Sequence, residues 1–404
     1  MDCLLSGRGV GPVARAKQAT VPYENPMSKC RNLSRRSFMH LAIAGGAASA
    51  HVGGTSTLGS GSNPSALNRQ TDGRARPTVP DGPEAGAQRL NLSKLRAWED
   101  LRYGMFIHFG MSTFVGQELP DGKAPASSYN PDHLDVDQWV QIARDAGMKY
   151  AVLTAKHVAG HCLWPSRHTD YTVAHSGNTT DVVRAFVKSC ERRGLLPGLY
   201  YCSWDNHHPF GSLTMSFGGR LPGEENGGPA AYTTSLYQDF QTAQITELLT
   251  EYGPVAEVWI DIPEVPGRGY RTFLYERIAG LQPDSVILMN SGIDNGTHYR
   301  VDRAWPSDLI SLETTLPPPS GHVKWREIEG KRYYLPGEFN NPIGKEWFYV
   351  EGDHPRPDEE LPSMLVESRR RGVNFLLDVP PDKHGLIPDK SRDALTRLGK
   401  NASR

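Results

Sequence analysis

Eight short apolar runs in this chain finish in a polar residue, and those ends read His108, His157, Tyr201, Asp261, Asn290, Glu313, Glu338 and Asp378. One polar group at the end of a buried run is usually satisfied by nearby backbone. Four carboxylates and two histidines gathered in one place are the makings of acid–base or nucleophilic chemistry. Two carboxylates about 5–5.5 Å apart can serve a retaining glycosidase as nucleophile and acid/base. Asp261 could pair in this way with Glu313 or with Glu338. Trp164, Trp204, Trp259, Trp305, Trp325 and Trp347 fall mainly beside these ends, and an aromatic face suits the apolar face of a sugar ring. The rival chemistry is metal-assisted hydrolysis. Its ligands would come from His157, His161, His168, His175, His207 and His208. Gly160 interrupts the His157–His161 spacing, and the first run offers only His108, so the metal reading is the weaker one.

For such ends to meet, the runs must lie side by side and point the same way. They span 103–110, 149–157, 195–203, 256–262, 284–291, 308–315, 332–340 and 373–381. Each is continuously apolar with no alternating wet face, which predicts parallel strands buried on both sides. Amphipathic stretches lie between them, over 134–147, 181–194, 236–253, 273–281 and 361–372, with another over 389–399. Two connections, 292–307 and the Pro-rich 316–331, carry no helical periodicity. Eight strands with interleaved helices predict an α/β fold, a distorted (β/α)8 TIM barrel in which loops replace some helices of the second half. In such a barrel the carboxyl ends of the strands form one polar cup over a dry core.

The chain has 404 residues and a formal charge of −1, but its first fifty residues hold seven Lys/Arg against two Asp/Glu. What remains is net acidic, which excludes a global attraction to nucleic acid or anionic lipid. Arg35-Arg36, the apolar run 41–50 and Ala48-Ser49-Ala50 make residues 1–50 a twin-arginine-type signal region, with Met27 a possible start. The run is too short for a stable membrane insertion, which needs about 20 apolar residues. The expected location is periplasmic or secreted. Residues 51–90, rich in Gly, Ser, Pro and Thr, read as a flexible linker, and 91–404 as the catalytic barrel. Beyond residue 50 only Cys162, Cys190 and Cys202 remain, which make neither a disulfide framework nor a zinc knuckle.

Several motifs in order resemble the α-L-fucosidases of glycoside hydrolase family 29. They are Tyr103-Gly104-Met105-Phe106-Ile107-His108-Phe109-Gly110, Ala146-Gly147-Met148-Lys149-Tyr150 leading to Lys156-His157, Cys162-Leu163-Trp164-Pro165-Ser166, Trp259-Ile260-Asp261, and Asn374-Phe375-Leu376-Leu377-Asp378. The resemblance spans about 95–390 and implies a retaining exo-glycosidase without cofactor or metal, acting on a fucose-containing oligo- or polysaccharide. It implies that Asp261 is the nucleophile and that Glu313, with Glu338 as the fallback, is the acid/base. His108, His157, Tyr201 and Trp259 then bind the sugar, with Trp164 and His161 nearby. The family usually has two adjacent His, where this chain has His157-Val158; one sugar hydroxyl lacks its usual partner unless His161 supplies it. The separate C-terminal β-sandwich of many members is not expected. A nucleophile must stay ionised, so a polar setting that keeps the Asp261 pKa low is expected.

Overall fold

The computed structural model describes residues 86–402 apart from 209–234, Pro266 and Ser291. The export segment and all but the last five residues of the expected linker lie outside the described residues. Eight parallel strands answer the eight runs: β1 (Tyr103–Ile107), β2 (Tyr150–Lys156), β3 (Leu196–Cys202), β4 (Glu257–Asp261), β5 (Val286–Met289), β7 (Ile310–Thr314), β10 (Gly337–Pro342) and β11 (Val373–Asp378). A two-residue strand, β6 (Ile293–Asp294), completes a nine-stranded curled sheet in the order β5-β4-β3-β2-β1-β11-β10-β7-β6.

Closing this barrel requires β5 to meet β7, and side chains substitute for strand pairing there. The Ile287 N–H donates to Asp308 Oδ2 at 2.9 Å, the Asp308 N–H to the Ile287 carbonyl at 2.7 Å, and the Met289 N–H to Ser307 Oγ at 3.1 Å. The chain then bends, and β6 pairs with the end of β7, Ile293 opposite Glu313. Successive side chains of a strand face opposite ways, so the sheet divides the core in two. Phe106, Tyr150, Val152, Tyr200, Trp259, Leu288 and Leu376 fill the barrel. Met105, Ile107, Leu153 and Tyr201 pack outward among Trp139, Val140 and Phe186 of the surrounding helices.

Those helices are α1 (Leu92–Glu99), α2 (Met111–Val115), α3 (Val136–Asp145), α4 (Val182–Arg193), α5 (Ser235–Glu251), α6 (Gly267–Leu281), α7 (Val301–Ala304), α8 (Glu360–Arg370) and α9 (Asp389–Ala402). Local chemistry sets their ends. The Asp181 side chain caps α4 by accepting from the Arg184 N–H, and Gly194 stops it at φ 70°, a left-handed position that favours glycine. No described helix is long and apolar enough to cross a membrane, and the three cysteines among the described residues, Cys162, Cys190 and Cys202, are buried thiols.

Helices α1, α2 and α7 and the strand β6 add to the expected elements, and the structure departs from expectation in three further places. The run 332–340 is split: β9 (Lys331–Tyr334) pairs antiparallel with β8 (Trp325–Ile328), and only β10 joins the barrel. Pro336 has no N–H to continue a ladder, and Glu329 (φ 53°) with Gly330 (φ 74°) turns the hairpin. Helix α6 begins six residues earlier than its periodicity suggests, because the buried Arg271 guanidinium ties it to the carbonyls of Pro263, Asp302 and Trp305. Residues 86–90 lie against the barrel: Arg89 pairs with Asp308 and donates to the Pro283 carbonyl.

Candidate active site

Asp261 is the last residue of β4. Its Oδ2 accepts the Tyr200 hydroxyl at 2.6 Å, and its Oδ1 accepts Asn290 Nδ2 at 2.8 Å. The same Asn290 nitrogen donates to Glu313 Oε2 at 2.8 Å. The Gly292 N–H donates to Asn290 Oδ1 at 3.1 Å, which fixes the amide the right way round. The two N–H bonds of an amide diverge by about 120°, so the two carboxylate oxygens stand about 5 Å apart, the spacing of a retaining pair. Burial pushes the Glu313 carboxyl up to about 7; the Asp261 charge adds to the rise and the Asn290 bond opposes it. Asp261 differs from the expectation. Burial raises its pKa too, and the bonds from Tyr200 and Asn290 only partly offset that rise.

His108 follows β1, and its Nδ1 bonds Asp378 Oδ1 at 2.8 Å. With Nδ1 committed to the barrel, Nε2 is the nitrogen left for a ligand. Burial pushes Asp378 up to about 6, against the pull of His108. The His157 ring lies 5.8 Å from His108 and stacks on Tyr200. Its Nδ1 is buried with no hydrogen-bond partner. Burial, then the charges of His108 and Lys156, hold its pKa well below the usual value, so it is a neutral imidazole with hydrogen-bonding capacity to spare. Trp347 and Phe348 wall the cup with rings 5.3 and 5.2 Å from His108. Beneath, Trp259 stacks on Tyr200 at 5.3 Å and donates Nε1 to Glu338 Oε1 at 3.1 Å.

This arrangement has relatives. The family model described as Alpha-L-fucosidase matches residues 122–403. The chain belongs to the α-L-fucosidase family, glycoside hydrolase family 29. It is 34% identical over 314 residues to Alpha-L-fucosidase 1 of Arabidopsis thaliana, covering 74% of this chain and 58% of the relative. It is 30% identical over 341 residues to the rice (Oryza sativa subsp. japonica) Putative alpha-L-fucosidase 1, covering 80% and 60%. The chain thus spans under two thirds of the length of either relative. The solved structure of alpha-L-fucosidase isoenzyme 1 from Paenibacillus thiaminolyticus superposes with a TM-score of 0.63 at 29% identity, covering 76% of this chain and 74% of that one.

Within this family member, Asp261, Glu313, His108 and His157 converge on the cup with Trp259 below them, and four other residues stand elsewhere. Tyr201 faces outward and donates its hydroxyl to Gln244 on α5 at 2.8 Å; its neighbour Tyr200 occupies the cup. Trp164 is buried in the helix layer with Nε1 on Glu247. His161 bonds Ser176 at 2.8 Å and stacks on Tyr129, and burial lowers its pKa to about 3. His157 and His161 therefore face different clusters and do not converge as a ligand pair. Glu338 is the second residue of β10, so it lies in the barrel floor, accepting from Tyr150 at 2.7 Å and from Trp259. Burial pushes both it and the neighbouring Glu257 upward. Sequence reasoning missed Tyr200, Phe348 and Glu118. Partial desolvation raises the pKa of the exposed Glu118; the His108 charge opposes the rise, and those of Glu346, Asp261 and Asp378 add to it.

Proposed function

We infer that this domain is a retaining exo-α-L-fucosidase that removes terminal α-L-fucosyl groups from glycans by double displacement. The observation that carries the reading is the single amide of Asn290 bonding Asp261 and Glu313 at once. It holds two carboxylates at the separation that lets one attack the anomeric carbon while the other protonates the leaving oxygen. Asp261 attacks, and the C–O bond breaks as Glu313 gives up its proton. In the second step Glu313, now ionised, takes a proton from water, and that water displaces Asp261. The burial that lifts Glu313 to about 7 keeps its proton in place near neutrality, as a general acid requires. His108 Nε2 and the neutral His157 supply hydrogen bonds to sugar hydroxyls, and Trp347 and Phe348 cover an apolar face.

The test is hydrolysis of 4-nitrophenyl α-L-fucoside. Asp261→Ala is expected to cut turnover by at least ~10³, on the order of 4 kcal/mol of transition-state stabilisation, and added azide to restore part of it as a glycosyl azide of inverted configuration. Near-normal turnover would leave a non-catalytic sugar-binding barrel as the better reading. Loss of wild-type activity in chelator, with rescue by zinc, would favour the metal alternative. Arg35-Arg36 supports export by the twin-arginine route, and Lys-Lys in their place is expected to leave the precursor in the cytoplasm.

A further inference from the structure

A cavity of about 500 Å³ opens between the segment that follows β10 and the segment that follows β11. Both segments leave the carboxyl ends of their strands, so the cavity lies at the same end of the barrel as the cup. Trp347 and Phe348 turn their rings to His108, while the next residue, Tyr349, lines the cavity. Consecutive Cα atoms are about 3.8 Å apart, so the two spaces are close neighbours. Asp353 holds this segment in shape by accepting from the backbone N–H groups of Lys345 at 3.0 Å and Glu346 at 3.1 Å. A Cβ on Gly344 would fall 2.4 Å from the same carboxylate.

The lining narrows the choice of ligand. Ile343, Pro380 and Pro388 give apolar walls, and Tyr349, Glu351 and Lys390 bring polar groups to the rim. An apolar floor beside an aromatic ring, with a few polar groups at the edge, is how proteins hold a pyranose. The acids of the lining outnumber its one lysine, which disfavours a sulfated, phosphorylated or uronate-bearing ligand. Asp353 spends its oxygens on the backbone N–H groups above, and Asp382 accepts those of His384 and Leu386 at 2.9 and 3.1 Å, so these carboxylates are loop braces and not a cation cage. We propose that the cavity binds a neutral sugar unit of the glycan whose terminal residue sits in the cup. This rests on the fucosidase reading and adds a second point of recognition to it.

The experiment compares lacto-N-fucopentaose, a fucosylated neutral oligosaccharide, with 4-nitrophenyl α-L-fucoside, which carries no second sugar. Tyr349→Ala and, on the opposite wall, Lys390→Ala are each expected to raise KM for the oligosaccharide about five-fold, the loss of a ring contact or a rim hydrogen bond. Activity on the nitrophenyl substrate stays within about two-fold of wild type, a margin too small to count as lost binding. Equal losses on both substrates would mean that the changes act through Trp347 and Phe348. No loss on either would mean an unused cavity. Both results overturn the proposal. Calorimetric titration with lacto-N-tetraose, the same core without fucose, needs no catalysis. If no fucoside is hydrolysed but the tetrasaccharide binds and Tyr349→Ala weakens that binding about five-fold, the fucosidase reading falls and the cavity assignment stands; if wild type hydrolyses fucosides but the core does not bind, the cavity assignment falls alone.

Discussion

Asn290 does for this site what neither carboxylate can do for itself. Two acids about 5 Å apart in a buried cup repel when both are ionised, and a donor shared between them offsets that repulsion while it sets their separation. Asn290→Ala removes both bonds at once, and a hydrogen bond to a charged group contributes about 1.5–3 kcal/mol. Turnover is expected to fall about 10²-fold. The pH dependence supplies a sharper signature. On the proposed mechanism activity needs Asp261 ionised and Glu313 protonated, so the alkaline limb of the wild type is expected near pH 7. The Asn290 bond pulls both acids down, so without it both limbs of the kcat profile move to higher pH. Unmoved limbs in the variant, measured from pH 4 to 9, would show that Asn290 only fills space. At this scale the sequence was partly legible. Asp261, Glu313 and Asn290 could be read because polar residues at the ends of apolar runs stand out. Tyr200 could not be told from Tyr201, since a strand buried on both faces shows no alternation to reveal which side faces the cup.

The element that presents Asn290 is a broken strand. β5 ends at Met289, and β6 begins at Ile293 and pairs with β7. Gly292 makes the bend at φ 87°, and a Cβ there would meet nothing within 4 Å. An alanine would thus be penalised by backbone conformation alone, on the order of 1–2 kcal/mol. Gly292→Ala is expected to lower Tm by roughly 2–4 °C. It is also expected to reduce kcat with little change in KM, because the Gly292 N–H steers the Asn290 amide. A Tm loss with full activity would separate the bend from the chemistry. The eight strands and most helices were legible because continuous apolar runs, caps and helix-ending glycines are local signals. The β8–β9 hairpin was not, since its strand merges in sequence with the start of β10. Nor could Glu338 be placed, because depth within a barrel depends on where its strand begins, and Pro336 sets that start through the pairing of distant strands.

Over the whole molecule the interior holds an unusual store of protons. Burial raises the pKa values of Glu257, Asp261, Glu313, Glu338 and Asp378, all on barrel strands. Neither the composition nor the net charge of −1 signals this, since it arises only when distant strands bring acids together out of water. In the unfolded chain such groups titrate near 4. Between about pH 4.5 and 7 the folded protein therefore holds more protons than the unfolded one. Its stability is full below that window and declines as pH rises through it, by about 1.4 kcal/mol per pH unit for each proton retained. Asp205 works in the opposite sense. It is buried, yet Lys156 at 3.0 Å and His208 at 2.9 Å depress its pKa despite the cost of desolvation, so its contribution is lost only as pH falls toward strong acid. The expected outcome is a Tm that peaks near pH 5 and declines steadily to pH 8 in the absence of ligand. Glu338→Gln should flatten the decline, because it removes one interior proton while keeping an acceptor for Trp259 or Tyr150. Glu313→Gln should flatten it as well and abolish activity, whereas Glu338→Gln retains the catalytic pair. A Tm constant from pH 5 to 8 in the wild type would falsify the proton store, and a slope unchanged in both variants would place it on other groups.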